Sequence, residues 1–395
     1  MSKNINVPKL RFKEFCGEWE EKIVGDIGKV SMCKRILKDQ TTTEGEVPFY
    51  KIGTFGKDAD AYISKEIFEE FKIKYSFPNV GDILISASGT IGRTVIYDGS
   101  PAYFQDSNIV WIANNEKLVN NKFLFYCYSN IRWNTENTTI ARLYNENLRN
   151  IPFSIPSKKE QEKIALFLSC VDTKIEQLIK KNELLQQYKK SIIQKIFSQD
   201  IRFKDNDGSA FPEWEEKRLS DIGEIITGKT PSTTNNNLWN GDIEFVTPTD
   251  ICDNKKYQSK TLRTVKKQNN MKVLPIGSIV YTCIASIGKM SLTSLLSITN
   301  QQINSIIIND FYNNEYIYYA LRYITPYIQS TQANTTLPII NKTEFSKFKI
   351  NIPCLEEQNK ISNFLSLIDN KIEENQKQLE KSKEFKKSLL QQMFI

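Results

Sequence analysis

Ile155-Pro156-Ser157-Lys158-Lys159-Glu160-Gln161-Glu162-Lys163-Ile164 leads into a stretch without Gly or Pro that runs from Ser157 to Gln199. Ile352-Pro353-Cys354-Leu355-Glu356-Glu357-Gln358-Asn359-Lys360-Ile361 leads into a second one that runs from Leu355 to Ile395. Pro156 and Pro353 stand just before each helix start, and Glu160 and Glu356 fall in the first turns, as helix entry prefers. Apolar residues then recur at Ile164, Leu168, Val171, Ile175, Leu178, Leu185, Ile192 and Ile196, and at Ile361, Leu365, Ile368, Ile372, Leu379, Leu389 and Met393. Those steps are the 4-3 alternation of a coiled-coil seam. They are broken at Asn182 and Lys189 in the first stretch and at Asn375, Ser382 and Lys386 in the second. A helix of about 40 residues is about 60 Å long. A whole domain separates the two, so they can pair antiparallel. If Ile164 faces Met393, then Asn182 faces Asn375, and a buried Asn pair is a device that fixes register at some cost in stability.

The recurrence extends far beyond the helices. Trp19-Glu20-Glu21-Lys22 returns as Trp214-Glu215-Glu216-Lys217, and both run on to Asp-Ile-Gly (Asp26 to Gly28, Asp221 to Gly223). Val80-Gly81-Asp82-Ile83, followed by Gly89-Thr90-Ile91-Gly92, returns as Ile276-Gly277-Ser278-Ile279, followed by Ala285-Ser286-Ile287-Gly288. Half the chain is therefore one architectural unit used twice. Such a duplication predicts a pseudo-twofold molecule, suited to a ligand with a local twofold of its own, of which duplex DNA is the commonest.

Each copy has two parts. The first holds short β-branched runs (Asp82 to Ile85, Ser278 to Tyr281), Gly/Asn/Asp/Pro punctuation, and aromatic-rich stretches (Phe123 to Tyr126, Tyr316 to Leu321) that read as short buried helices. The expected architecture is an α/β or α+β domain at 1–156, a long helix at 157–200, a second such domain at 201–353 and a second helix at 354–395.

Composition narrows the function classes. Among 395 residues there is no histidine, and the seven cysteines show no C-x-x-C spacing. This argues against zinc and a disulfide framework, and it removes Ser-His-Asp and Cys-His catalysis. No run of 18 apolar residues and no signal-like N-terminus is present, so the expectation is a reduced, cytoplasmic protein with no membrane partner. Net charge is only +7. The clearest basic stretch is Lys255, Lys256, Lys260, Arg263, Lys266, Lys267 and Lys272, which suits DNA or a solvated loop. Basic and acidic residues nearly balance over 1–156, so a tight grip on DNA by this chain alone is not expected.

Three motifs invite a catalytic reading. Gly223-Glu224-Ile225-Ile226-Thr227-Gly228-Lys229-Thr230 fits the phosphate-loop pattern, yet Pro231 and a polar run follow where a helix is needed. Asn150-Ile151-Pro152-Phe153 lacks the first proline of an amino-methyltransferase motif. Glu20-x-Lys22 and Glu215-x-Lys217 have no partner Asp and lie beside Trp. Neither a catalytic nor a metal site is expected, and Trp19 and Trp214 read as core anchors.

The contact candidates are polar residues in matching turns. Gly89, Thr90 and Arg93, with their twins Ser286 and Lys289, put a cation beside a tight turn, suited to phosphate or guanine. Gln105 and Asn108, with Gln301, Gln302 and Asn304, are amides able to read adenine, or else to satisfy buried backbone groups. Arg142 with Tyr144, and Asn341 with Lys342, occupy matching loops before each helix. Lys229 and Thr230 stand in the Gly-Lys-Thr-Pro loop, where copy one has Lys34-Arg35 instead.

Taken in order, the Trp-x-x-x-x-(Leu/Val)-x-Asp-Ile-Gly repeat, the Gly228-to-Pro231 loop, the Gly-(Asp/Ser)-Ile turn, the Gln-x-x-Asn element and Ile-Pro-x-x-x-Glu-Gln-x-Lys-Ile before a long helix carry a resemblance. The chain resembles the specificity subunit of type I restriction-modification enzymes over essentially its whole length. The resemblance implies two target-recognition domains, each reading half of a split DNA site, and helices that set the spacer and dock two modification subunits. It implies that S-adenosylmethionine, ATP and Mg are bound by those modification subunits and by restriction/translocase subunits, with no cofactor on this chain. The alternatives are a stand-alone DNA-modifying enzyme and a structural scaffold. The first needs a cofactor or metal site, and the second does not need two divergent polar-looped domains.

Overall fold

The computed structural model describes residues 6–131, 133, 143–252, 255–268, 271–332 and 338–395. Contacts divide the chain into two compact units, 1–178 with 378–395, and 179–377. Each unit therefore holds one α+β domain and parts of both long helices.

The first unit has a four-stranded antiparallel sheet in the order Gly28–Ser31, Ile109–Asn114, Ile83–Ser86, Thr94–Ile96. A three-stranded sheet follows the order Tyr62–Ile63, Val47–Tyr50, Tyr103–Phe104, the last pair parallel. Glu20–Ile23 pairs with Pro152–Ile155 at the root of the helix. The strand Ile83–Ser86 is buried on both faces. Side chains alternate across a strand, so Ile83 and Ile85 enter one core with Trp19 and Phe123, and Leu84 enters another with Tyr103 and Trp111.

The second unit repeats the plan. Gly223–Thr227, Ile303–Ile308, Ile279–Thr282, Met290–Thr293 and Tyr257–Gln258 form one sheet, and Thr264–Val265, Trp239–Val246 and Ser297–Thr299 another. Again Ile279 and Tyr281 face one core and Val280 the other. Asn120 and Asn313 cap the aromatic helices Asn121–Tyr128 and Asn314–Ser330. The second of these is not short, as its composition suggested. It runs through Pro326 for 17 residues, because its apolar face stays buried as far as Ile328.

The long helices are Lys158–Phe197 and Leu355–Met393. In the first unit Ile164 and Leu168 share a core with Leu389 and Met393. In the second, Ile196 and Phe197 share one with Ile361, Leu365, Ile368 and Ile372. Both sets require antiparallel packing. Burying each such side chain contributes about 1.5–3 kcal/mol relative to exposure.

Both lysines that break the heptads have a carboxylate partner. Lys386 pairs with Asp172 at 2.5 Å, and Tyr126 donates its hydroxyl proton to the same Asp at 2.8 Å. In the second unit Lys189 pairs with Asp369, to which Tyr319 donates at 2.5 Å. Burial pushes the Lys189 ammonium below the usual lysine range, against the pull of Asp369. This register brings Asn182 level with Asn375, which is buried, and the Asn182 side-chain oxygen is shielded from solvent.

The helix-start motif is explained by its partners. Arg11 grips Glu160 with two bonds, Nε to Oε1 at 2.8 Å and Nη2 to Oε2 at 2.7 Å, the carboxylate being 1 % exposed. Arg202 Nη2 donates to the fully buried Glu357 at 3.1 Å, joined by Trp214 Nε1 at 3.0 Å. Gln161 accepts from Asn120 N and donates to the carbonyls of Leu118 and Pro156. Gln358 accepts from Asn313 N and donates to the Pro353 carbonyl. Thus Glu-Gln at each helix start is a bolt between domain and helix.

Candidate nucleic-acid interface

In each unit the loops at one end of the central sheet gather into an edge. Its middle is a turn built the same way twice. Ser86 Oγ donates to Thr90 O at 2.6 Å and accepts from Arg93 N at 2.8 Å. Thr282 Oγ1 donates to Ser286 O and accepts from Lys289 N at 3.0 Å. Gly89 has φ +64° and its counterpart Ala285 φ +61°. The left-handed bend is natural for glycine and strained for alanine, so the turn's shape is held even where the residue disfavours it. Thr90 and Ser286 are exposed at the tips.

Around the first turn stand three further loops. Gln105 Oε1 accepts from Ile52 N at 2.9 Å, Asn108 Oδ1 accepts from Ser88 Oγ at 2.8 Å, and Leu143 N donates to Ala87 O. Gly89, Thr90, Gln105, Asn108 and Tyr144 are thereby brought together. A cleft of about 470 Å³ opens beside them, with Arg35, Lys38, Thr41, Lys51, Gln105 and Asp106 among its lining residues. Lys38, Lys51 and Asp106 were not singled out from the sequence, and Arg35 was noted only as standing where the other copy has its Gly-Lys-Thr-Pro loop. The usable signal was the strand Gly28–Ser31, which brings Lys34 and Arg35 to the place that Lys229 and Thr230 hold in the other copy.

The second edge assembles Lys229, Thr230, Ser286, Gln301 and Gln302. Thr230 Oγ1 donates to Gln301 Oε1 at 2.7 Å, and Gln302 accepts from Asn300 Nδ2 at 2.9 Å. Of the basic stretch, Lys256 is taken up by Glu315 at 2.9 Å and Lys272 by Glu224 at 2.5 Å, while Arg263 stacks 3.5 Å over Trp239. Lys255, Lys260, Lys266 and Lys267 remain exposed.

Several expectations need correction. Asn304 is not at the surface. It is 2 % exposed, donates to Ile340 O and Cys283 Sγ, and accepts from Thr227 Oγ1. The reason is register. Ser86 pairs with Ile109 and Thr282 with Ile303, so Asn304 occupies the position of Val110, not that of Asn108. Asn341 caps the helix Lys342–Lys347 by accepting from Glu344 N at 2.9 Å, which leaves Lys342 at that helix's start. Arg93 is half-buried and donates Nη1 to Phe55 O at 2.6 Å, so part of its fork holds a loop. Arg142 lies outside the described residues.

The phosphate-loop pattern is a strand followed by an extended loop. A Cβ at Gly228 would collide with the carbonyl oxygens of Thr299 and Asn300, so this glycine serves close packing. Trp19 and Trp214 pack against Phe123 and Phe197, as core anchors do. Burial pushes the thiols of Cys33 and Cys283 up to about 12, so neither offers a thiolate near neutral pH. Among the described residues no group of three or more His, Cys, Asp or Glu could hold a metal ion, and no helix is long and apolar enough to cross a membrane.

The sequence profile of the type I restriction modification DNA specificity domain matches residues 17–187 and again 212–381. The chain belongs to this family. A Haemophilus influenzae protein provisionally described as type I restriction enzyme specificity subunit S.HindORF215P is 61 % identical over 151 residues, 38 % of this chain and 39 % of that one. The MjaIX specificity subunit of Methanocaldococcus jannaschii is 32 % identical over 207 residues, 50 % of this chain and 48 % of that one. The matched segments thus span less than half the length of these two relatives. The crystal structure of a type I restriction-modification S subunit from M. genitalium superposes with a TM-score of 0.62 at 18 % identity, covering 98 % of this chain and 99 % of that one. At that identity the likeness is one of fold. The family's duplicated domain and the two loop edges described above are the same repeat.

Proposed function

We propose that this chain is the DNA-specificity subunit of a type I restriction-modification complex. Each unit reads one half of a bipartite duplex target through its loop edge. The observation that carries this reading is the pairing of a family match in both copies with two edges of common build and different exposed side chains. A shared build with different chemistry suits two half-sites of different sequence. Gly89, Thr90, Gln105, Asn108 and Tyr144 act in one half, and Lys229, Thr230, Ser286, Gln301 and Gln302 in the other. Arg93 and Lys289 stand behind them, and Lys342 completes the second edge.

The chain contributes no catalysis. Methyl transfer from S-adenosylmethionine, ATP use and Mg binding belong to two modification subunits and to restriction/translocase subunits in the cytoplasm. The antiparallel helices set the spacer between half-sites and offer the docking face. The test is to purify the chain with the products of its neighbouring genes and to map methylated adenines in DNA. A single split motif, methylated only when this chain is present, is the expected result. Methylation or cleavage by the chain alone would refute the assignment.

A further inference from the structure

Two loops meet across the edge at the same pair of positions in both units. Gly28 and Gly223 begin equivalent strands, paired with Asn114 and Ile308, which places Arg35 where Thr230 stands. On the other side, Phe104 pairs with Tyr50 and Thr299 with Val246, both parallel. Gln105 N then donates to Tyr50 O, and Asn300 N to Val246 O. Asp106 therefore stands where Gln301 stands. These equivalences rest on backbone pairing alone, yet the side chains bond in both units. Arg35 Nε donates to Asp106 Oδ2 at 2.8 Å, and Thr230 Oγ1 donates to Gln301 Oε1 at 2.7 Å.

The geometry points to these two pairs as the specificity-determining contacts of the chain, with Arg35 reading a guanine in one half-site and Gln301 an adenine in the other. This rests on the DNA-reading function proposed above. The Arg35 side chain is 66 % exposed, and its bond to Asp106 uses Nε only. On this largely exposed side chain the Nη1 and Nη2 groups are not used in the Asp106 bond, and they form a fork of donors that fits the O6 and N7 acceptors of guanine in the major groove. An exposed ion pair adds at most about 1 kcal/mol to stability, so orientation is what Asp106 supplies. The loop under it is itself fixed. Gln105 and Asn108 are bonded to neighbouring loops, and Ser107 between them holds a left-handed φ of +54°. A reader supported in this way is held on target before binding.

In the second unit the hydroxyl of Thr230 occupies one lone pair of Gln301 Oε1. The other lone pair and the Nε2 donors remain, which is the acceptor–donor pattern that pairs with adenine N6 and N7. The same two positions thus present a double donor on one edge and an acceptor–donor on the other.

The test uses the full chain purified with its neighbouring-gene products, selecting bound duplexes from a randomised pool at fixed salt. Arg35→Met should lower the preference for guanine at one position of one half-site by about tenfold or more. Gln301→Met should do the same for adenine in the other half-site. Each variant should leave the opposite half unchanged, and both positions are exposed enough that melting curves should match the parent. Unaltered base preference in both variants overturns this inference while leaving the DNA reading intact, as does uniform weakening across all sequences, which marks phosphate contact. A parent complex that selects no split sequence overturns the DNA reading, and this inference with it.

Discussion

The root of each long helix and the loop edge of each domain come from the same repeat, but different things repeat in them. At the root the chemistry recurs residue by residue: Arg11 and Arg202 on Glu160 and Glu357, Gln161 and Gln358 on Asn120 and Asn313. At the edge the hydroxyl bonds under the turn recur, but among the exposed side chains only the positions do. Arg35 and Asp106 become Thr230 and Gln301 in the same contact. Burial explains the contrast. Glu160 and Glu357 are out of water, so any change that removes a partner leaves a charge unsatisfied. The edge side chains face solvent, which can satisfy whatever is placed there.

Breaking the root should have the largest effect. Arg11→Ala strands the Glu160 carboxylate, which is 1 % exposed, and should cost about 3–5 kcal/mol in denaturant unfolding. Arg202→Ala should cost less, because Trp214 Nε1 still donates to Glu357, whereas the Trp19 indole N–H has no partner among the described residues. Equal losses in the two variants would show that the indole plays no part. A middle-sized effect is expected where the edge meets the core. Gly228→Ala should cost roughly 1–3 kcal/mol by overpacking against Thr299 and Asn300. An unchanged melting temperature would return that glycine to a functional role. The smallest effects belong to the edge cations. Lys289→Ala should reduce the salt slope of DNA binding by roughly 0.9. Arg93→Ala should change it by less, since Arg93 is bonded to Phe55 O. A larger change for Arg93 would reverse that ranking.

How far the sequence could be read follows from the same contrast. The heptads were legible because burial every third and fourth residue leaves a periodic trace. Even their breaks at Lys189 and Lys386 are regular, each having an Asp and a Tyr. The short sheet strands were legible as β-branched runs. The Gln-x-x-Asn match was misleading. One loop is a residue longer than the other, and a strand slip of two residues keeps the same face, so Asn304 took the place of Val110 in the core. The helix Asn314–Ser330 was under-read because only its aromatic-rich stretch Tyr316 to Leu321 stands out in composition, whereas the buried face continues past Pro326 to Ile328.

The sequence by itself determined the duplication, the antiparallel seam, the absence of histidine chemistry and the family, because these are written in periodicity, spacing and composition. The tertiary structure alone decided which polar residues are bolts and which stay exposed at the loop edge. Glu160, Gln161 and Asn304 look as available in one dimension as Arg35 and Gln301. Burial and backbone register, set by residues more than a hundred positions away in the case of Arg11 and Glu160, turn the first group inward to satisfy the fold and leave the second in solvent.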